Sequence, residues 1–233
     1  MIKKPVIAFL LDKKGGAIEL SYEELNNVNT NGKILWVHFD YSSPEAVDWI
    51  TNKSEIDSIA IDALLTEETR PRTTLLNDSI LIALRGVNLN PNSKPEDMVS
   101  IRLYISTHLI ISTRKRDILS VAEIIDILKK GIGPKSSSEF LTELICRVTD
   151  RMEDVINQIE DRTNALEENL IDSTDLKFRN EILSVRREII ILRRYLFPQK
   201  EALNKLYNDK ITWINEYERI EIRETNDQLM RHI

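Results

Sequence analysis

Three histidines and one cysteine are the strongest transition-metal ligands in this chain of 233 residues, and their spacing builds no site. His38 lies within Trp36-Val37-His38-Phe39-Asp40, where strand alternation points it to the same side as Trp36 and Asp40. His108 opens a second strand-like stretch beside a turn, and His232 is next to the last residue. No His-x3-His, His-Glu-x2-His or Cys-x2-Cys spacing occurs, so no preformed tetrahedral metal site is encoded. The strand setting makes His38 a structural histidine in preference to a ligand. The lone Cys146 excludes an internal disulfide framework and the zinc sites built on several cysteines. Such sparing use of thiols is compatible with a reducing compartment.

Catalytic chemistry is equally bare. There is no Gly-x-Ser-x-Gly elbow to present a nucleophile, and neither Gly-x-Gly-x2-Gly nor a Walker loop to cradle phosphates. Gly131-Ile132-Gly133-Pro134 reads as a helix stop, with Gly131 suited to the left-handed position past the last turn. The sequence does not describe an enzyme and calls for no cofactor. What remains is charge. Glu67-Glu68-Thr69-Arg70-Pro71-Arg72 is dense in both signs and fits an anion or carboxylate site, or equally a charged loop between a helix and a strand. Carboxylates are plentiful on the helices, and clustered oxygen ligands take divalent cations weakly.

The elements that must position these groups fall into two patterns. Over 6–133 short apolar runs alternate with turn chemistry. Val6–Leu11 is a buried strand, Lys13-Lys14-Gly15-Gly16 a hairpin turn, and Ile34–Asp40 a strong strand. Ser43-Pro44 opens a helix with proline in its first turn. A second helix is expected over 55–65, its apolar face set by Ile56, Ile59, Ala60, Ala63 and Leu64. Strands follow at 79–87, 99–106 and 108–113, then a helix over 118–130. Strands mixed with helices make residues 1–134 an α/β or α+β domain, a mixed sheet flanked by helices.

Residues 135–233 read as long helices. Ser136-x-x-Glu139 is a capping box. A seam at near-heptad steps follows, from Leu141 through Ile145, Val148, Met152, Val155, Ile159, Thr163 and Leu166 to Leu170. Asp172-Ser173-Thr174-Asp175 interrupts it, and Ile182, Val185, Ile189, Leu192 and Leu196 form a second seam on an antiparallel neighbour. Residues 139–171 carry nine acidic and three basic side chains, residues 175–201 four acidic and seven basic. Opposite signs favour the pairing, with Arg186, Arg187, Arg193 and Arg194 expected to meet the acidic helix or, if turned to the axis of an assembly, to form a positive wall that repels cations or holds anions. A third helix is expected from about Thr212, running to Ile233 without a stop signal, as a chain cut at a boundary would.

Net charge −6 and pI 5.3 weigh against nucleic acid as a partner, which demands a basic face. No apolar run approaches about 18 residues, the length needed to span a bilayer. Met1-Ile2-Lys3-Lys4-Pro5 leads into an apolar run too short for a signal peptide. These features describe a soluble, acidic, intracellular chain.

Leu192-Arg193-Arg194-Tyr195-Leu196-Phe197-Pro198-Gln199-Lys200-Glu201 resembles a stretch in the cytoplasmic helices of CorA-type metal-ion transporters. Four further segments resemble the ZntB branch of that family, the zinc transporters. They are Glu68-Thr69-Arg70-Pro71-Arg72, the run from Pro95 to Tyr104, the run from Leu109 to Arg116, and Trp36-Val37-His38-Phe39-Asp40-Tyr41. The similarity runs in order along nearly the whole chain. Gly86-Val87-Asn88 matches the family's three-residue pore signature, but at the end of a strand before a turn-rich loop it is a chance match.

The resemblance implies a CorA-like soluble domain: an α/β domain and long helices, the last continuing into membrane helices that this chain lacks. It implies a homo-pentamer shaped as a funnel on the cytoplasmic face of the bacterial inner membrane. Zinc is then the transported ion and divalent cations the partners. If the third helix lines the axis, Glu216, Glu221, Glu224 and Asp227 are its ion contacts; rotated away, they are ordinary exposed charges. The alternative reading is a soluble scaffold whose helical hairpin is an interaction surface.

Overall fold

The structure is a computed structural model and describes residues 4–67, 70–169 and 176–231. Its first hairpin joins β1 (Val6–Leu11) to β2 (Ala17–Leu20). The Asp12 carboxylate closes the turn by accepting from the backbone N–H of Lys14 at 2.7 Å and of Gly16 at 2.9 Å. Gly15 is required there. Its φ is +107°, and a Cβ would meet the Gly131 carbonyl oxygen at 2.8 Å.

After the short α1 (Tyr22–Asn26) come β3 (Ile34–Asp40), α2 (Pro44–Asn52), α3 (Ser58–Leu65), β4 (Arg72–Leu76), β5 (Ser79–Gly86), β6 (Val99–Ile105), β7 (Leu109–Arg114) and α4 (Leu119–Lys129). The seven strands form one mixed sheet in the order β2-β1-β3-β7-β6-β5-β4. All neighbours are antiparallel except β3 and β7, which run side by side from Leu35↔Leu109 to Asp40↔Arg114. Alternation assigns the two faces. Ala8, Val37, Phe39, Leu81 and Ile111 pack against α2 and α3. Phe9, Trp36, Ile82, Leu103 and Ile110 pack against α4 and the first long helix.

That helix, α5 (Ser137–Asn169), and its antiparallel neighbour α6 (Leu176–Asn208) are 33 residues each; α7 (Glu216–Met230) lies along both. The core is continuous from the sheet into the helices. Phe140 of α5 meets Trp36 edge-on at 4.7 Å, and Thr73 of β4 donates to the Ala202 carbonyl of α6. Polar contacts fix the direction of α7. Its Glu218, Thr225 and Gln228 meet Ser138, Cys146 and Glu153 of α5 in order, so α7 runs parallel to α5.

Several expectations are corrected. The helix expected over 55–65 starts at Ser58, because Asp57 caps it by accepting from the Ile59 N–H. Ile59 is 59% exposed and does not belong to its buried face. α1 and β4 lay outside the expected pattern. α7 begins at Glu216, where Asn215 and Glu218 form a capping box, and not near Thr212. On α6 the buried seam narrows to Val185, Leu192 and Leu196, while Ile182 and Ile189 are more than a third exposed. That geometry turns Arg186, Arg187, Arg193 and Arg194 outward, one and two positions past the seam. They are exposed, and none forms an ion pair with the acidic helix among the described residues. Leu170, the joint at Asp172–Asp175 and Ile233 lie outside the described residues.

Candidate functional site

The start of α5 brings acids to one face. Ser136 Oγ accepts from the Glu139 N–H at 3.0 Å, and the Glu139 carboxylate reaches back to the Lys135 N–H at 2.7 Å. Helical spacing then stacks Glu139, Thr142 and Glu143 on the side facing α7. From α7, Glu218 and Glu221 point back. Glu218 is buried and fully committed: it accepts from the Asn215 N–H at 2.9 Å and from Ser138 Oγ at 2.9 Å.

Between the helices lies a cavity of about 480 Å³ lined by Glu139, Glu143, Glu218 and Glu221, with Thr142 and Arg147. Arg147 is occupied by Glu143 at 2.6 Å and by Glu123 of α4 at 3.1 Å. The Thr142 hydroxyl is buried and makes no hydrogen bond. Burial, with the like charges of Glu143, Glu218 and Glu139, raises the Glu221 carboxyl above the usual carboxylate range. Four carboxylates against Arg147 and Lys135 leave the pocket net negative, a setting that favours a cation. Among the described residues no group of three or more His, Cys, Asp or Glu stands close enough to hold a metal ion as a cage.

The four α7 carboxylates expected as ion contacts therefore separate. Only Glu221 enters the cavity. Glu216 is exposed in the first turn, Glu224 is exposed, and Asp227 lies 3.8 Å from Arg223 on the open side of the helix. The sequence reading missed Glu139, Glu143 and Glu218 as neighbours of Glu221. Each helix start carries a local signal, Ser136 with Glu139 and Asn215 with Glu218, but neither signal says that the two starts lie side by side.

His38 is structural, as expected. It is 1% exposed, with Nδ1 2.8 Å from Ser112 Oγ, the same oxygen that accepts from Trp36 Nε1 at 2.9 Å. Burial, helped by the positive charge of Arg114, lowers its pKa to about 3, so it is neutral at physiological pH. Burial pushes the Cys146 thiol up to about 11, leaving too little thiolate for nucleophilic chemistry. Gly86-Val87-Asn88 sits at the end of β5, and Asn88 braces the following turn through Asn90.

Residues 31–233 match the family model described as CorA-like Mg2+ transporter protein. The chain belongs to this CorA-like family. It is 31% identical over 230 residues to the zinc transport protein ZntB of Yersinia enterocolitica, an alignment covering 99% of this chain and 69% of that protein. The structure of the full-length CmaX protein superposes with a TM-score of 0.90 at 33% identity, over 99% of this chain and 72% of that one. The ZntB cytoplasmic domain from Vibrio parahaemolyticus shares the fold, with a TM-score of 0.77 at 24% identity over 97% of this chain and 91% of that one.

As a CorA-like chain it belongs with transporters and not with enzymes. Its mixed sheet and long helices are those of the CorA and ZntB soluble domains. Among its described residues no helix is long and apolar enough to cross a membrane.

Proposed function

We propose that this CorA-like chain is the cytoplasmic portion of a bacterial inner-membrane zinc transporter. In this reading residues 1–134 and 135–233 act as the α/β and long-helix parts of one funnel wall. The observation that carries the ion-handling part is Glu221, held between Glu139, Glu143 and Glu218 with its carboxyl raised by burial and by their charge. A cavity of this kind concentrates cations without trapping them, because carboxylate oxygens set loosely around a space bind divalent ions weakly and release them. Glu216, Glu224 and Asp227 would join it only where their exposed side forms a wall shared with neighbouring copies.

Assembly into a homo-pentamer is part of the same proposal. Its support is the outer face of α6, where Leu183, Ile190 and Phe197 recur every seven residues and are each 56–59% exposed. Rows of this kind are helix-packing seams awaiting a partner.

Calorimetric titration of the chain with zinc chloride, and separately with magnesium chloride, tests the ion reading. Zinc heat that falls in Glu221→Ala and Glu143→Ala, but not in Glu224→Ala, is the expected result. Equal zinc binding in all three variants removes the cavity as an ion site. Mass measurement across concentrations tests the assembly, with growth towards five copies expected and a strict monomer at every concentration counting against it.

A further inference from the structure

The carboxyl ends of the one parallel strand pair, β3 and β7, open onto a second cavity of about 310 Å³. In open α/β sheets ligands favour the crevice at the carboxyl ends of the parallel strands, and this cavity holds that position beside β3 and β7. Tyr41, directly after β3, and Lys115 and Arg116, directly after β7, line it. Arg85 of β5 and Ser100 of β6 add to the wall, and Tyr195 of α6 closes the far side. The cavity shares no residue with the acidic one between α5 and α7, and nothing below rests on the transport reading.

In a chain of net charge −6 this corner is basic. Arg85 and Arg116 line the cavity; Arg85 donates to the Met98 carbonyl at 3.2 Å and lies 4.8 Å from the Tyr195 ring centroid, while Arg116 is exposed with no ion pair among the described residues. Among the described residues Glu67 is the one carboxylate in the lining, and it is paired with Lys115. Behind the wall stands a fourth cation. Arg102 of β6 is 1% exposed, its guanidinium carbon 4.6 Å from the Tyr41 ring centroid, and its Nη2 donates to the Glu67 carbonyl at 2.7 Å. Its Nε and Nη1 have no hydrogen-bond partner. Burial, opposed by Tyr41 and reinforced by Arg85 and Arg72, pushes the Arg102 guanidinium below its usual value. Fully buried arginines are normally matched by a carboxylate, because an unpaired charge in a protein interior is costly. Arg102 has a carbonyl and a ring in place of one.

We propose that this cavity binds a phosphate group, free or carried by a small molecule, with Arg85, Lys115 and Arg116 as direct contacts and Arg102 as a fixed charge behind Tyr41. Among the described residues Lys115, Arg116 and the buried Arg102 stand against one carboxylate, Glu67, and that balance calls for a multiply charged anion, which a phosphate supplies and chloride does not. Arginine forks match phosphate oxygens in pairs, and Lys115 can turn from Glu67 to the ligand as a point charge. A volume of about 310 Å³ is at the small end of ligand cavities, enough for a phosphate and a modest substituent against the Tyr195 ring.

The test is calorimetric titration of the full chain with inorganic phosphate and, separately, with adenosine monophosphate, at ionic strength held constant with sodium chloride. Binding with a Kd of about 1 mM or tighter is expected. Competition between the two ligands places them in one site, and the tighter of them identifies the source of the phosphate. Lys115→Gln combined with Arg116→Gln should weaken binding by about tenfold while melting at the native temperature, since both side chains are exposed. Glu67→Gln, which removes the opposing charge of the described lining, should tighten binding about threefold, a gain that misfolding cannot imitate. No heat with either ligand overturns the proposal, as does a Kd that neither change alters.

Discussion

Arg162 of α5 grips Glu188 of α6 through two N–H donors, at 2.7 and 3.2 Å, and holds Glu181 two turns away at 2.6 Å. The basic partner is thus on the acidic helix and the acidic partners are on the basic one. Glu181 and Glu188 flank Val185, four before and three after it, and so border the buried seam; the surrounding arginines fall outside it. Seam geometry selects which charges meet, and net helix charge does not.

Arg162→Met should therefore destabilise the chain by about 1 kcal/mol, the scale of one or two partly exposed ion pairs. Arg186→Met and Arg193→Met should each change stability by less than about 0.3 kcal/mol. Urea unfolding measures both. Burial pushes the Glu188 carboxyl up, but hydrogen bonds from Arg162 and Ser184 outweigh it and leave it below its usual 4.5. With a lowered folded value, the stabilisation is present above the unfolded value and is lost as pH falls through the folded one. The gap between native and Arg162→Met should accordingly close on acidification below 4.5.

His38 acts in the opposite direction to a surface histidine. It stays neutral in the folded protein down to a pKa of about 3, against 6.5 when exposed. Its depressed value means that stability is full above 6.5 and declines as pH falls towards about 3, at no more than about 1.4 kcal/mol per pH unit. Its ring resonances should not titrate in the folded protein near pH 6. A His38→Gln variant should show a shallower loss of stability over that interval.

Strand and helix periods made most of this fold legible, since Ile34–Asp40, the hairpin at Gly15 and the stop at Gly131 each rest on local chemistry. β4 was hidden because Arg72-Thr73-Thr74-Leu75-Leu76 lacks a strict alternation and earns its place by pairing with β5. The site was less legible. Glu221 was singled out on α7, but its company depends on α7 running parallel to α5, which no residue pattern announces. Arg102 offered no signal at all: its isolation appears only once β6 is seated beneath α3.

Asn215 sets where α7 begins and how it is held. Its side chain accepts from the Glu218 N–H at 3.0 Å while Glu218 returns to the Asn215 N–H and takes Ser138 Oγ from α5. Asn215→Ala should cost about 1 kcal/mol, the usual loss for an N-cap. Glu218→Ala should cost more, about 2 kcal/mol, because it also removes the charged acceptor of the buried Ser138 hydroxyl, which keeps only Ser136 Oγ at 2.9 Å. Hydrogen exchange should show the first turn of α7 opening in both variants while the sheet core stays protected.

Glu221 gives the α5–α7 cavity its own pH signature. Its folded value is raised above 4.5, mainly by burial and then by Glu143, Glu218 and Glu139. A raised carboxyl contributes stability that is full below the unfolded value and is lost as pH rises through the folded one. Glu221→Gln keeps the shape and removes the charge, so the variant should match the native chain near pH 4 and exceed it near pH 7. Solvent reaches the cavity, so screening limits the gain to about 0.5 kcal/mol, or about 1–2 °C in melting temperature. Zinc chloride at pH 7 should raise the native melting temperature and leave that of Glu221→Gln nearly unmoved, since neutralising the same strained charge is the work that both changes perform. A native chain that melts at the same temperature with and without zinc would show that the strain in this cavity is not relieved by the cation.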